Sequence, residues 1–305
     1  MTRSFLGAYW DARAESVDQC ADRVARSLES LADLDPLLTN WRDKGRSRRE
    51  ALEQPLVTTE RADLAARLFA GRNRTDIGNE VIEELGYAVY WWNSRENRDG
   101  GVTLSMHLNV TSQHVGNNVL LNFPDSSRFP SLYTTNTAKS ILSAVISSFE
   151  PQRAVWSSSS LTREQAEPDE PLDGGGIAYG QIVGHPAGWA TFLADDETTR
   201  FDRQALPKTA TVERVGNSGS LVLVGDDPAN PPLNDVLAVR AAMGYAVPHL
   251  DRSAAPSVEP SESPRSAALH GEERGAAPSA TADHQEHDQV SEQKRLDSEA
   301  RREEA

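Results

Sequence analysis

Gly216-Asn217-Ser218-Gly219-Ser220 is the segment of this 305-residue sequence with the most chemistry in it. A serine set among glycines suits a nucleophile whose neighbouring backbone amides stabilise an oxyanion, provided a histidine base and an orienting carboxylate reach it. His107, His114 and His185 lie upstream, with Asp125, Asp173 or Asp195 as carboxylates. None of these histidines sits in the small-residue motif that carries such a base in serine proteases. The simpler reading is a glycine-containing hairpin turn running into the apolar stretch Ser220 to Val224. A serine hydrolase using Ser218 is the enzymatic alternative.

Other reactive patterns are sparse. Gly174-Gly175-Gly176 has neither the lysine nor the strand-to-helix setting of a phosphate loop. Residues 1–250 contain no H-E-x-x-H, no C-x-x-C and no paired ligand spacing, so no metal and no cofactor is expected. The single cysteine, Cys20, excludes an intramolecular disulfide framework, and its place on an apolar helical stripe predicts a buried thiol.

Residues suited to gripping a partner are easier to find. Trp91 and Trp92 are consecutive in a strand-like run, so their side chains must point to opposite faces, and an exposed member would make a binding anchor. Trp189 and the acidic run Asp195-Asp196-Glu197 complete the candidate contacts. A basic loop holding Arg42, Lys44, Arg46, Arg48 and Arg49 stands out on an acidic chain, suited to a phosphate or to an acidic patch on a partner.

The elements that must position these residues follow from periodicity. Phe5 to Trp10 reads as a strand. Val17, Cys20, Ala21, Val24, Leu28 and Leu31 recur at helical steps behind a capping box formed by Ser16 and Gln19, and Asp35-Pro36 ends that helix. Ser47 and Glu50 cap a short helix closed by Pro55. Another helix runs from about Thr59 to Ala70 with Leu64, Leu68 and Phe69 on one face, stopped by Gly71. Tyr87 to Asn93, Val102 to Val110 and Asn118 to Phe123 read as an antiparallel meander, with Arg98-Asp99-Gly100-Gly101 as its first turn. The clearest helix spans about Thr137 to Phe149. Further strands are predicted at Arg153 to Ser157, Ile177 to Val183, Gly188 to Leu193 and Ser220 to Val224, with a last helix from about Asn234 to Tyr245. The polar stretch between Ser157 and Gly176 reads as an exposed loop. Runs of strands with separate helices define an α+β class, a single domain on a largely antiparallel sheet.

Charge sets the boundaries. Residues 1–250 hold 33 acidic against 24 basic residues and all nineteen aromatics, which assigns them to the folded domain. Residues 251–305 hold 13 acidic and seven basic residues, with Val258, Leu269, Val290 and Leu296 as the only sizeable apolar side chains. Such a segment cannot bury enough surface to offset backbone ordering at about 1 to 2 kcal/mol per residue, so a disordered acidic tail is expected. His284 and His287 there read as incidental. The net charge of −15 disfavours direct nucleic-acid binding and favours basic partners. The start of the chain lacks the apolar core of a secretory signal, and no run of eighteen apolar residues occurs, so a cytoplasmic protein with no membrane partner, monomeric when free, is expected.

Several segments together resemble a known family. FLGAYWDARAES, the helix beginning Cys20-Ala21-Asp22-Arg23, LDPLLTNW with the following KGRSRREAL, the GGVTLSMHLNV and NVLLNFP strands, and GWATFL are similar to the immunity protein 52 family over about residues 5–246. Those bacterial proteins belong to polymorphic toxin systems and are found beside toxins with a restriction-endonuclease-like domain. The resemblance implies an α+β antitoxin, not an enzyme, that binds and silences a cognate nuclease. It supplies no catalytic motif to carry over, and it does not cover the tail, which leaves an adaptor that docks through residues 251–305 as a third reading.

Overall fold

The computed structural model describes residues 3–172, 175–196 and 200–247, all within the body formed by residues 1–255. The expected tail, with His284 and His287, and Glu197 and Asp173 lie outside the described residues.

Among the described residues, six helices and eleven strands follow one another. In order they are β1 (Ser4–Trp10), α1 (Val17–Ala32), β2 (Arg42–Asp43), α2 (Arg48–Glu53), α3 (Arg61–Ala70), β3 (Tyr87–Trp92), β4 (Thr103–Leu108) and β5 (Asn117–Asn122). Then come α4 (Thr135–Phe149), β6 (Arg153–Ser158), α5 (Ser159–Arg163), β7 (Glu170–Leu172), β8 (Gly176–Ala178), β9 (Ala190–Ala194), β10 (Thr211–Val215), β11 (Gly219–Leu223) and α6 (Leu233–Ala242). Nine strands form one sheet in the order β10-β11-β9-β6-β1-β5-β4-β3-β2, and every pairing in it is antiparallel. The chain is thus α+β with a large antiparallel sheet, as its patterning predicts.

Local signals explain the helices. Ser16 accepts from the Gln19 amide at 3.2 Å while its own amide donates to Gln19 Oε1 at 2.8 Å, so α1 begins on the predicted capping box. Cys20, Ala21, Val24, Leu28 and Leu31 turn inward from it. α4 starts on Thr134, whose hydroxyl accepts from the Thr137 amide, and sends Ala138, Ile141, Leu142, Val145, Ile146 and Phe149 into the core. Ser47 caps α2, and Gly71 ends α3 where a Cβ would lie 2.3 Å from the Ala88 carbonyl oxygen.

Helices α1, α3 and α4 cover one face of the sheet. Leu6, Ala8 and Trp10 of β1 point into that layer, where Trp10 stacks on Phe149 with ring centres 5.9 Å apart. Burying an aliphatic or aromatic side chain of this size contributes about 1.5 to 3 kcal/mol each, which makes this layer the main support of the fold. A second, smaller core lies on the opposite face at one end of the sheet: Leu221 and Leu223 of β11 join the large core, whereas Val222 between them packs with Leu161, Val236 and Val239.

Three expectations are corrected. Residues 177–183 do not form a seven-residue strand; only Gly176–Ala178 is extended, paired with Glu170–Leu172 in a separate two-stranded ribbon. Beyond it the two segments run so close together that a Cβ at Gly180 would lie 1.6 Å from the Glu167 carbonyl oxygen. Phe69 is 54% exposed rather than on the inward face of α3, with the Arg72 guanidinium lying 3.6 Å over its ring. The link between β3 and β4 is no tight turn but a loop with a single 3-10 turn at Asn97–Asp99 and Gly100 at φ +89°.

Candidate partner-binding surface

The other half of the sheet's second face has no helix over it among the described residues. Its outward side chains fall in cross-strand rows fixed by register. One row is Trp92, Thr103, Asn122 and Phe5; the next is Tyr90, Ser105, Leu120 and Gly7; a third is Ala88, His107, Asn118 and Tyr9. These positions are half-buried or exposed wherever they carry a side chain, while their neighbours along each strand, Tyr87 apart, are buried. Tyr90 is 39% exposed and its hydroxyl lies 2.9 Å from His107 Nε2, with the two rings edge to face. Burial pushes the Tyr90 phenol up and the His107 imidazole down, so both are neutral near pH 7.

At the β2 end of this face an open cavity of about 590 Å³ is lined by Lys44, Ser47, Arg48 and Ala51 on one wall and by Arg95, Glu96, Asn97 and Arg98 on the other, with Trp92 and Thr103 beside them. Lys44, Arg48, Arg95 and Arg98 bring positive charge to a body that is acidic as a whole. Glu96 is shared between Arg48 Nη1 at 3.1 Å and Arg98 Nε at 2.8 Å. Lys44 Nζ lies 5.8 Å from the Tyr90 ring centre, which joins the groove to the open face.

Both walls are held from behind. Asp43 accepts from Trp91 Nε1 at 2.8 Å and pairs with Arg67 of α3, and Arg67 also contacts Asp63 at 3.0 Å. This pins β2 and with it Lys44. A Cβ at Gly45 would lie 2.5 Å from the Ala51 amide nitrogen, so the loop can approach α2 only with glycine there. On the other wall Asn93 is buried and makes four hydrogen bonds. Its Nδ2 donates to the carbonyls of Leu37 at 2.9 Å and Gly100 at 2.8 Å, and its Oδ1 accepts from the amides of Val102 at 3.0 Å and Arg95 at 3.3 Å.

The sequence candidates are dispersed. Trp91 and Trp92 do point to opposite faces: Trp91 is fully buried under α3, and Trp92 is half-buried in the groove. Trp189 is not on the surface; it is fully buried, set edge-on to Trp156 at 6.2 Å, and donates to the Gly225 carbonyl at 3.1 Å. Beside it the backbone passes so close to β6 that a Cβ at Gly188 would lie 2.0 Å from the Trp156 carbonyl oxygen. Asp195 pairs with Arg214, whose guanidinium holds the carboxyl below its usual range, and Asp196 follows it in the turn after β9. β9 lies five strands from β3, about 24 Å at sheet spacing, so these aspartates and Trp92 belong to different places. The sequence reading missed Arg95 and Arg98; the available signal was a second arginine pair just after Trp91-Trp92, matching the basic loop singled out before them.

Ser218 is exposed in the two-stranded turn between β10 and β11, where its amide donates to the Val215 carbonyl. His107 stands five strands away and bonds Tyr90, and His185 packs edge-on against Tyr245 at 5.8 Å. The described residues contain no group of three or more His, Cys, Asp or Glu able to hold a metal, and no helix among them is long and apolar enough to cross a membrane.

A wide antiparallel sheet, clad by helices on one face and half open on the other, defines the structural class. The chain belongs to the immunity protein 52 family, whose pattern it matches over residues 3–232. Among solved structures it is similar to the Pseudomonas aeruginosa T6SS protein PA0821, with 15% identity and a TM-score of 0.45 over 80% of this chain and 76% of that one. No curated protein sequence matches it.

Proposed function

We propose that this protein neutralises a cognate nuclease toxin by stoichiometric binding and breaks no bond itself. Membership of the immunity protein 52 family over residues 3–232 carries the reading. The nuclease class rests on the restriction-endonuclease-like toxins found beside that family and on electrostatics. A nuclease presents a basic surface to phosphate, and a binder with a net charge of −15 is drawn to it, which raises the association rate. The half-open sheet face with Tyr90, Trp92, Phe5 and Leu120 supplies apolar contact area of the kind that anchors an interface. Such neutralisation takes place in the cytoplasm and needs only a monomer and a buried area of roughly 1,600 Å².

Co-expression with the toxin encoded beside this gene tests the reading. Growth should be restored and the two proteins should co-purify at one to one. Continued killing with no co-purified complex would reject it.

A further inference from the structure

We infer that the β7–β8 ribbon is a prong that enters the substrate cleft of the nuclease toxin, its apolar side chains against the cleft walls and its acidic root against the basic rim. The inference rests on the nuclease-binding reading above and adds the element and the chemistry of contact.

The ribbon exposes what a fold ordinarily buries. All six residues of Glu170–Leu172 and Gly176–Ala178 are exposed, and the ribbon pairs with no strand of the nine-stranded sheet. Leu172 is 55% and Ile177 59% exposed, and Tyr179 and Val183 just beyond them are exposed as well. Pro171 and Ile177 are cross-strand partners on one side of the ribbon, while Leu172 and Gly176 share the other. Two strands of three residues have no core of their own to serve, so large apolar side chains left in water on both sides point to a partner. A flat partner covers one side of a ribbon; a cleft covers both.

The root of the ribbon is already fixed. Gln165 is fully buried; its Nε2 donates to the carbonyls of Leu161 and Ala187, both at 2.9 Å, and its Oε1 accepts from the Ala187 amide at 2.8 Å. The Glu167 amide donates to the Gln181 carbonyl at 2.9 Å, and the Gly180 amide donates to Asp169 Oδ1 at 2.9 Å. Arg163 pairs with Asp169 at 3.1 Å and lies 5.8 Å from the Tyr179 ring centre. The two legs are thus clipped together before a partner arrives, and little ordering remains to be done on binding.

Charge and edge chemistry select the occupant. Residues 163–183 hold five acidic residues against Arg163 as the one basic residue, and Asp169 already engages that arginine. Glu164 and Glu170 are exposed, and carboxylates at the root of an apolar prong complement the basic rim that a nuclease offers to phosphate. A second copy of this chain fits poorly: it brings the same acidic root, and Pro171 removes an amide from the middle of β7, which blunts strand addition there. α5, from which the ribbon springs, starts two residues past Ser157, the cross-strand partner of Phe5, so one bound protein can span the ribbon and the open face.

The test uses a catalytically inactive form of the toxin encoded beside this gene, immobilised, with association and dissociation rates measured for the full chain. Leu172→Ser with Ile177→Ser should speed dissociation about 30-fold, while the exposed control Ile77→Ser should bind as the parent does. Glu164→Lys with Glu170→Lys should slow association about tenfold, and it keeps the test open should the double serine variant fail to fold. A benzophenone photo-crosslinking side chain placed at Ile177 should join the toxin at peptides that line its catalytic cleft. Parent-like rates for either double variant, with a normal urea midpoint, or crosslinks confined to another face of the toxin, overturn the prong and leave toxin binding standing. No binding by the parent chain removes the toxin reading, and the prong with it. A parent dimer in sedimentation that the double serine variant splits assigns the ribbon to self-association and overturns the proposal.

Discussion

Cys20 shows how position decides what a side chain can do. It lies on the inward stripe of α1 with no exposed surface, and burial pushes its thiol up to about 12. A thiol that does not ionise near neutral pH and that no reagent can reach is inert. Dithionitrobenzoate should therefore leave the native protein unlabelled and titrate one thiol after unfolding in urea; fast labelling of the native state would contradict its placement. His185 is the titration counterpart. Burial first, and the Arg153 charge second, depress it to about 4 from an ordinary value near 6.5. Between those values the unfolded chain binds a proton that the fold refuses, so stability is complete above about pH 6.5 and falls as pH drops towards 4. The loss should be about 2 kcal/mol, allowing for partial solvent contact. Urea unfolding of the parent and of His185→Gln at pH 7 and pH 5 checks the sign: the variant should show the shallower decline.

At the scale of elements, the sequence spoke most clearly where one signal was local and complete. The Ser16 and Gln19 box, the all-apolar face of α4 and the strands of the meander each carry their own start, face and stop, and each appears within about two residues of where patterning puts it. β10 was illegible because Thr211–Val215 is short and largely exposed, and only its pairing with β11 makes it a strand. The groove was half legible: the basic loop is plain in the sequence, but its opposite wall is folded by Asn93, whose contacts reach Leu37 and Val102 and leave no local trace. Asn93→Ala deletes four hydrogen bonds in a buried site and leaves backbone groups unpaired, at a cost of about 2 to 4 kcal/mol. Chemical denaturation should register that loss. An unchanged midpoint would mean that another contact fixes this loop.

On the scale of the whole molecule, the two faces of the sheet do different work. One is sealed by α1, α3 and α4 and supplies stability; the other, among the described residues, is sealed at the β9 and β11 end and open over the half that carries Tyr90, Trp92 and His107. The surface candidates chosen from sequence mixed the two. Tryptophan marks both deep cores and anchors, and only the topology separates Trp91 and Trp189, which hold the fold, from Trp92, which faces outward. Net charge was legible throughout, but its reversal within one groove depends on two loops more than forty residues apart being brought together by the pairing of β2 with β3.

The place of β1 in the sheet has a consequence for how the protein is made. It precedes the other described strands in the chain, yet it sits fifth of nine, between β5 and β6, and its neighbours arrive only with residues 117–122 and 153–158. During translation its apolar residues therefore wait unpaired for more than a hundred codons, an interval in which trigger-factor-like chaperones have reason to bind. Nascent chains arrested with β6 still inside the exit tunnel should remain protease-sensitive at β1, and those arrested well beyond it should become protected.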